Sequence, residues 1–457
     1  MIRRVPASCG IPLVFAMLLL LGACSGTGPI PNPTSIAIVR LEVLPADTMI
    51  DVGGDIVLTV QAFDAKGRPV SPVTRVAATS SNVAVVTAGP PQGDRIPVGA
   101  DGMGLASVTI VADNAGIPGA TSATVVSRVA VRPHLILLPL PPGGAHVEVT
   151  GVADDRSVGG WSGLYNGYAP RAWSWSPSGG SRLLPLLNGQ VSVSQVRGVA
   201  ANGTMVGYSY SDPRYAHLVS WSSEGVITDL GMRGYSLSIG IAINNGGQIV
   251  YYKDITLPSY QNRAFLRTVG NGDIDLGTFD GETVPAGIAD DGSVTGISRD
   301  SSGQPRPFFW TPTSGMKKIA PVSEAIFPNG IADGGRVVGS FYVAPQPAGT
   351  HAFYWSPTAG WTDLGTLPGD EASEAFAINS GGEVVGTSLR AGNSRAFLWT
   401  RQAGMIDLGQ YAPRPSRAKA ITASGIVAGT VDVTTGPVPF PNAGPDAQPA
   451  LWILRRQ

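Results

Sequence analysis

The chain has 457 residues, with 60 glycines, 38 prolines and only 14% charged residues. That length calls for two or more cores, and many turn-formers with few charges argue against long helices and for many short strands. A formal net charge of −1 offers no basic excess, so neither nucleic acid nor an anionic membrane surface is indicated as a partner.

Residues 1–23 stand apart. Arg3 and Arg4 precede the apolar run IPLVFAMLLLL, which has the length of a signal-peptide core and is too short for a comfortable membrane span. Leu21-Gly22-Ala23-Cys24 follows and resembles the bacterial lipoprotein box. The resemblance implies cleavage before Cys24 and lipidation of its thiol. With Ser25 rather than Asp next, it also implies an outer-membrane lipoprotein, periplasmic or surface-exposed. The only other cysteine, Cys9, lies inside the removed peptide, so the mature chain is expected to fold without an internal disulfide. Residues 24–35, CSGTGPIPNPTS, read as a flexible tether.

Residues 36–131 alternate apolar and polar positions, with Ile56, Leu58, Val60 and Ala62 on one strand face and a hairpin turn at Asp64-Ala65-Lys66-Gly67. About seven short strands in this span predict an immunoglobulin-like β-sandwich. The order of its pieces, from the opening at Leu41 to Pro45 through DAKGRPV, TSSNVAVV and GLASVTI, resembles the bacterial Ig-like domains of surface proteins. It departs from them at Ala78, where that family usually has Trp, and the resemblance implies a spacer.

From residue 134 to 457 the sequence repeats itself. RAWSW at 171 recurs as HLVSW, RAFLR, RPFFW, HAFYW, RAFLW and QPALW, giving segments at 217, 263, 306, 351, 395 and 448. A second element of the type IADDGSVTG, ending at Gly160, Gly207, Tyr251, Gly296, Gly339, Gly386 and Gly429, recurs with it, as does a D-L-G element at Asp229, Asp275, Asp363 and Asp407. Four strands about every 45 residues is the period of a β-propeller blade. Small residues dominate the first strand of each repeat, where blades crowd an axis. Aromatic residues dominate the third, where blades diverge. The last repeat lacks a fourth strand, and LILLPLPPGG before the first repeat aligns with TDLGTLPGD, so residues 134–140 are expected to supply it and close the ring. The expected fold is all-β: an N-terminal Ig-like sandwich followed by a seven-bladed propeller closed by an N-terminal strand.

DLGTLPGDEASEAFAINSGGEVVGTS followed by RAFLWT closely resembles the HAF-family extracellular repeat, over about 320 residues. That resemblance implies an exported bacterial protein and assigns no activity.

No G-x-S-x-G, H-E-x-x-H, P-loop or C-x-x-C motif is present, so no enzyme, no cofactor and no metal site is expected. His217 and His351 stand where other repeats carry Arg and read as structural. Asp154-Asp155 and Asp290-Asp291 suit hairpin turns better than calcium loops. The recurrent D-L-G aspartates read as ligands of backbone N–H groups. Variation concentrates in the loops joining strands two and three and in the blade connections, which share one face. That face offers Tyr165, Tyr168, Tyr215 and Tyr260 with Asp280, Glu282, Asp370 and Glu371 as candidate ligand-binding residues. Tyrosines beside carboxylates suit carbohydrate or peptide ligands. The expected function is a lipid-anchored envelope binding module. The alternative is a carboxylate-dependent polysaccharide lyase or glycosidase on the same face.

Overall fold

The computed structural model describes residues 37–455 apart from 74, 114–121, 165–168, 188–192, 232–236, 256–260, 269, 320–324, 344–348, 392, 413–414 and 433–446. Cys24 and its surroundings lie outside the described residues. Apart from one 3-10 turn at Gly409–Tyr411, every regular element among the described residues is a β-strand.

The N-terminal unit consists of two sheets around a shared core. One sheet runs Arg40–Leu44, Asp55–Phe63, Arg95–Ala100, Val86–Ala88, with Pro69–Val70 pairing the second of these. The other runs Asp47–Asp51, Ala123–Arg132, Gly104–Asp113, Arg75–Ser80, the first pair being parallel. Alternation decides which side chains are buried: Leu58, Val60 and Ala62 on one strand meet Ala106, Val108, Ile110 and Ala112 from the opposite sheet. Ala78 also packs against this core, half-buried. At the hairpin, the Asp64 carboxylate accepts the Lys66 and Arg68 N–H groups at 2.8 and 2.9 Å, and Gly67 takes a φ of 75°.

The repeats form seven four-stranded antiparallel sheets, the units of a β-propeller. Their first strands are Gly144–Val152, Ser194–Val199, Ser238–Ile243, Asp280–Ile288, Ile326–Ala332, Ala372–Ile378 and Ser416–Ile421, and the sheets are numbered 1 to 7 in that order. Each sheet packs on the next, and sheet 7 packs back on sheet 1. Sheet 7 takes its fourth strand from His134–Leu137, in register His134 with Ile453, Leu135 with Trp452, Ile136 with Leu451 and Leu137 with Ala450. Leu138, fully buried just beyond this pairing, donates its N–H to the Pro449 carbonyl at 2.8 Å. The N-terminal unit rests on this seam: Met103 N–H donates to the Leu454 carbonyl at 2.8 Å, and one apolar cluster runs from Leu58 and Ile110 to Leu138, Val147 and Leu451.

The recurrent five-residue segment now has a physical explanation. Its first residue pairs with the D-L-G aspartate across the third and fourth strands. His217 lies 3.1 Å from Asp229, Arg263 2.8 Å from Asp275, His351 2.9 Å from Asp363 and Arg395 2.7 Å from Asp407. Each of the first three aspartates also accepts the N–H of the glycine two residues on, at 2.7–2.9 Å. Where the aspartate is missing, the arginine changes partner. Arg306 pairs with Asp300 at 2.7 Å, and Arg171 donates to the Leu184 carbonyl at 3.4 Å. The segment's central aromatics, among them Trp173, Phe308, Phe353 and Phe397, are fully buried between sheets.

Candidate functional site

In every sheet, the register between first and second strands slips at one equivalent place; sheets 1 and 4 carry a second irregularity nearer the start of the first strand. The slips fall between Val149 and Gly151, Val196 and Gly198, Gly240 and Ala242, Pro285 and Gly287, Pro328 and Gly330, Ala375 and Ala377, and Ala418 and Ala420. A bulge leaves one residue out of the ladder and re-aims its side chain. Here the seven extra residues are Thr150, Arg197, Ile241, Ala286, Asn329, Phe376 and Lys419, and all seven line one cavity on the axis of the sheets. The glycine that ends most copies of the second repeat element faces this bulge. A Cβ at Gly160, Gly207, Gly296, Gly339, Gly386 or Gly429 would fall onto a first-strand carbonyl oxygen, so the recurrent glycine is a requirement of close backbone approach.

The cavity measures about 690 Å³ and opens on the face that carries the long loops. Such a volume lies within the range typical of small-ligand sites. Its wall on sheets 1 to 3 is aromatic: Trp161, Tyr208, Tyr210 and Tyr252 come from second strands. Tyr208 and Tyr210 meet edge-on with ring centres 5.9 Å apart, and Trp161 lies 5.7 Å from the His146 ring. Burial pushes the Tyr208 hydroxyl up to about 12 and raises that of Tyr252, so both remain protonated donors at neutral pH. Across the mouth, Lys419 Nζ sits 3.6 Å from the centre of the Phe376 ring, and Asn329 donates to Glu374 at 3.0 Å and to the Ala375 carbonyl at 2.9 Å. Burial lowers the Lys419 pKa, partly offset by Glu148 and Glu374. At Glu148, burial favours protonation, but His146, 3.7 Å away, and the charges of Lys419 and Arg417 outweigh it and hold the carboxyl below its ordinary value.

Below the bulge ring the axis narrows and opens again at the turns between first and second strands. That rim is stitched together: Asn245 N–H donates to Asp290 at 2.8 Å, Asp291 N–H to Asp333 at 3.0 Å, and Asn379 Nδ2 to the Thr422 carbonyl at 3.0 Å. Asp155 and Asp291 each accept the N–H two residues on, from Ser157 at 2.8 Å and Ser293 at 2.9 Å, which is hairpin chemistry. Asn379 sits before its turn, where its amide bridges two sheets.

Of the residues singled out in sequence, Tyr165, Tyr168 and Tyr260 lie outside the described residues. Tyr215 is half-buried under the Arg214 guanidinium, 5.7 Å away. Asp280 is exposed at a φ of 109°, and Glu282 accepts from Asn262 and lies 3.4 Å from Arg299. Asp370 has a fully buried side chain in a two-point pair with Arg395, at 2.7 and 3.2 Å, and Glu371 is exposed. None of these five lines the axial cavity. Sequence reading missed the bulge residues because they differ from repeat to repeat. Their signal was positional: each bulge residue stands six before the turn residue with positive φ, and Trp161, Tyr208 and Tyr252 directly follow the second repeat element.

No family model matches the sequence, and no curated relative matches it. Among solved structures it is similar to TolB from Acinetobacter baumannii, at 13% identity over 68% of this chain and 75% of that one, with a TM-score of 0.34. An acylaminoacyl peptidase of Pyrococcus horikoshii matches at 10% identity over 68% of this chain, with a TM-score of 0.46. This chain spans about half (52%) of that enzyme. The fucose-recognising, six-bladed lectin of Aleuria aurantia matches at 10% identity over 56% of this chain and 92% of that one, with a TM-score of 0.35.

Proposed function

We propose that the chain is a binding module whose ligand, a carbohydrate or peptide, enters the axial cavity from the long-loop face. In this reading the seven sheets are blades of one seven-bladed propeller of HAF-type repeats, and the N-terminal unit is an Ig-like sandwich. The carrying observation is the bulge ring. Seven equivalent backbone positions carry seven different side chains, next to an aromatic wall on three sheets. Scaffold residues repeat, whereas recognition residues need not.

The reading as a glycosidase calls for an acid held protonated at neutral pH. Glu148, the carboxylate lining the cavity among the described residues, is instead held below its ordinary value, which weighs against a glycosidase's general acid there. The test is a glycan and peptidoglycan-fragment array probed with a soluble Cys24→Ala form. Hits should weaken roughly tenfold or more in Tyr208→Ala and Tyr252→Ala and stay unchanged in Tyr215→Ala. Loss in Tyr215→Ala alone would move the site to the peripheral loops.

Anchoring through a lipidated Cys24 in the outer membrane is part of the proposal, resting on the Leu21–Cys24 box. Cys24→Ala should release the protein from membranes. A variant that still sediments with them, with no acyl group found on wild-type Cys24, would end that reading.

A further inference from the structure

Resting on the reading of the axial cavity as the ligand site, we propose that its ligand is a carboxylated saccharide. Two of the seven bulge positions hold cations, Arg197 on sheet 2 and Lys419 on sheet 7, and both line the cavity. Packing does not demand a charge there, since equivalent positions on sheets 3 and 4 are Ile241 and Ala286. Neither cation has a carboxylate at ion-pair distance among the described residues. Arg197 reaches only Gln195 Oε1, at 3.4 Å, and Lys419 lies against the Phe376 ring. Arginines that serve the scaffold behave differently: Arg263, Arg306 and Arg395 all hold aspartates within 2.7–2.8 Å. Glu148, the one acid lining the cavity among the described residues, acts on Lys419 from beyond ion-pair distance, so the lining sets one carboxylate against two cations.

Two cations facing one cavity without an ion-pair partner, Lys419 half-buried and Arg197 exposed, favour a ligand that brings the negative charge. A planar guanidinium can take a carboxylate at two points, and an ammonium supplies a second charge. Trp161, Tyr208 and Tyr252 offer flat surfaces for pyranose rings and hydroxyl donors for their oxygens. Together these groups match a uronic-acid unit: an apolar ring face, hydroxyls around the edge and one carboxylate.

The full-length soluble protein should be titrated calorimetrically with di- to tetrasaccharides of galacturonic and glucuronic acid, with their carboxyl-reduced counterparts, and with a tetraglutamate peptide. The acidic sugars should bind about tenfold or more tightly than the reduced ones. Arg197→Gln and Lys419→Met should each remove most of that preference while leaving the melting temperature near wild type. Equal binding of acidic and reduced sugars would overturn the inference yet keep a saccharide site. Binding of tetraglutamate but of no sugar would overturn it in favour of an acidic peptide. Binding of none of these probes would overturn it, while array hits lost in Tyr208→Ala would still sustain the site itself.

Discussion

Replacing Arg395 by Met should cost more stability than any other single loss of a surface-reaching charge in the repeats. Its guanidinium donates to Asp370 at 2.7 and 3.2 Å, to Asp407 at 2.7 Å and to the Pro368 carbonyl at 3.1 Å. The Asp370 side chain is 0% exposed, so the substitution strands a carboxylate with no counter-charge and no water. Breaking a buried pair in this way costs about 3–5 kcal/mol. Because the Arg395 side chain remains 31% exposed, the lower end of that range applies, equivalent to a fall in melting temperature of roughly 4–5 °C for a unit of this size. Urea and thermal unfolding of Arg395→Met, Asp370→Asn and the double variant test the reasoning. The double variant should lose less than the two singles combined, because Asn leaves no charge to strand. As a control, Arg263→Met breaks a pair with an Asp275 side chain that is 44% exposed and should cost under about 1 kcal/mol. A loss below about 1 kcal/mol in Arg395→Met, or strict additivity in the double variant, would refute a buried pair at this position.

Three further outcomes are expected. Arg156 occupies, at a φ of 71°, a turn position that is glycine in the other sheets, so Arg156→Gly should raise stability by about 1 kcal/mol in thermal unfolding, whereas Gly203→Ala should lower it. Leu138→Ala should cost about 2–5 kcal/mol although it precedes the first repeat, because the side chain is fully buried where the chain ends meet; a loss of only a few tenths would argue against that seam. Burial alone would raise the Asp291 pKa, but the Gly334 and Ser293 N–H groups and the Ser293 hydroxyl outweigh it and lower it below 3.8. Its contribution is therefore complete above that value and lost as pH falls through the lower folded-state pKa, so Asp291→Asn should flatten the acid limb of stability measured by urea unfolding from pH 5 down to pH 2.

The repeats made the strands legible because scaffold residues recur. The five-residue segment, the D-L-G aspartates and the turn glycines each answer a demand that several sheets share: a cross-strand ion pair, a backbone acceptor, a positive φ. His217 and His351 could be read as structural for the same reason, and each is found against its aspartate. What could not be read was the inner wall of the axis. A bulge is a property of two strands in register, and its extra residue carries no preferred identity, so Arg197, Phe376 and Lys419 looked like ordinary positions in unrelated strands. Asp370 misled for the opposite reason. A carboxylate in a variable connection reads as available, and only the fold brings Arg395 onto it.

The account turns on the axial cavity being the ligand site, and a crystal structure of the protein with a bound acidic oligosaccharide tests this most directly. The sugar should lie on Trp161, Tyr208 and Tyr252, with its carboxylate within hydrogen-bond distance of Arg197 and Lys419. Density for the sugar over the peripheral loops near Tyr215, or at the opposite rim beside Asp154 and Asp290, would contradict it.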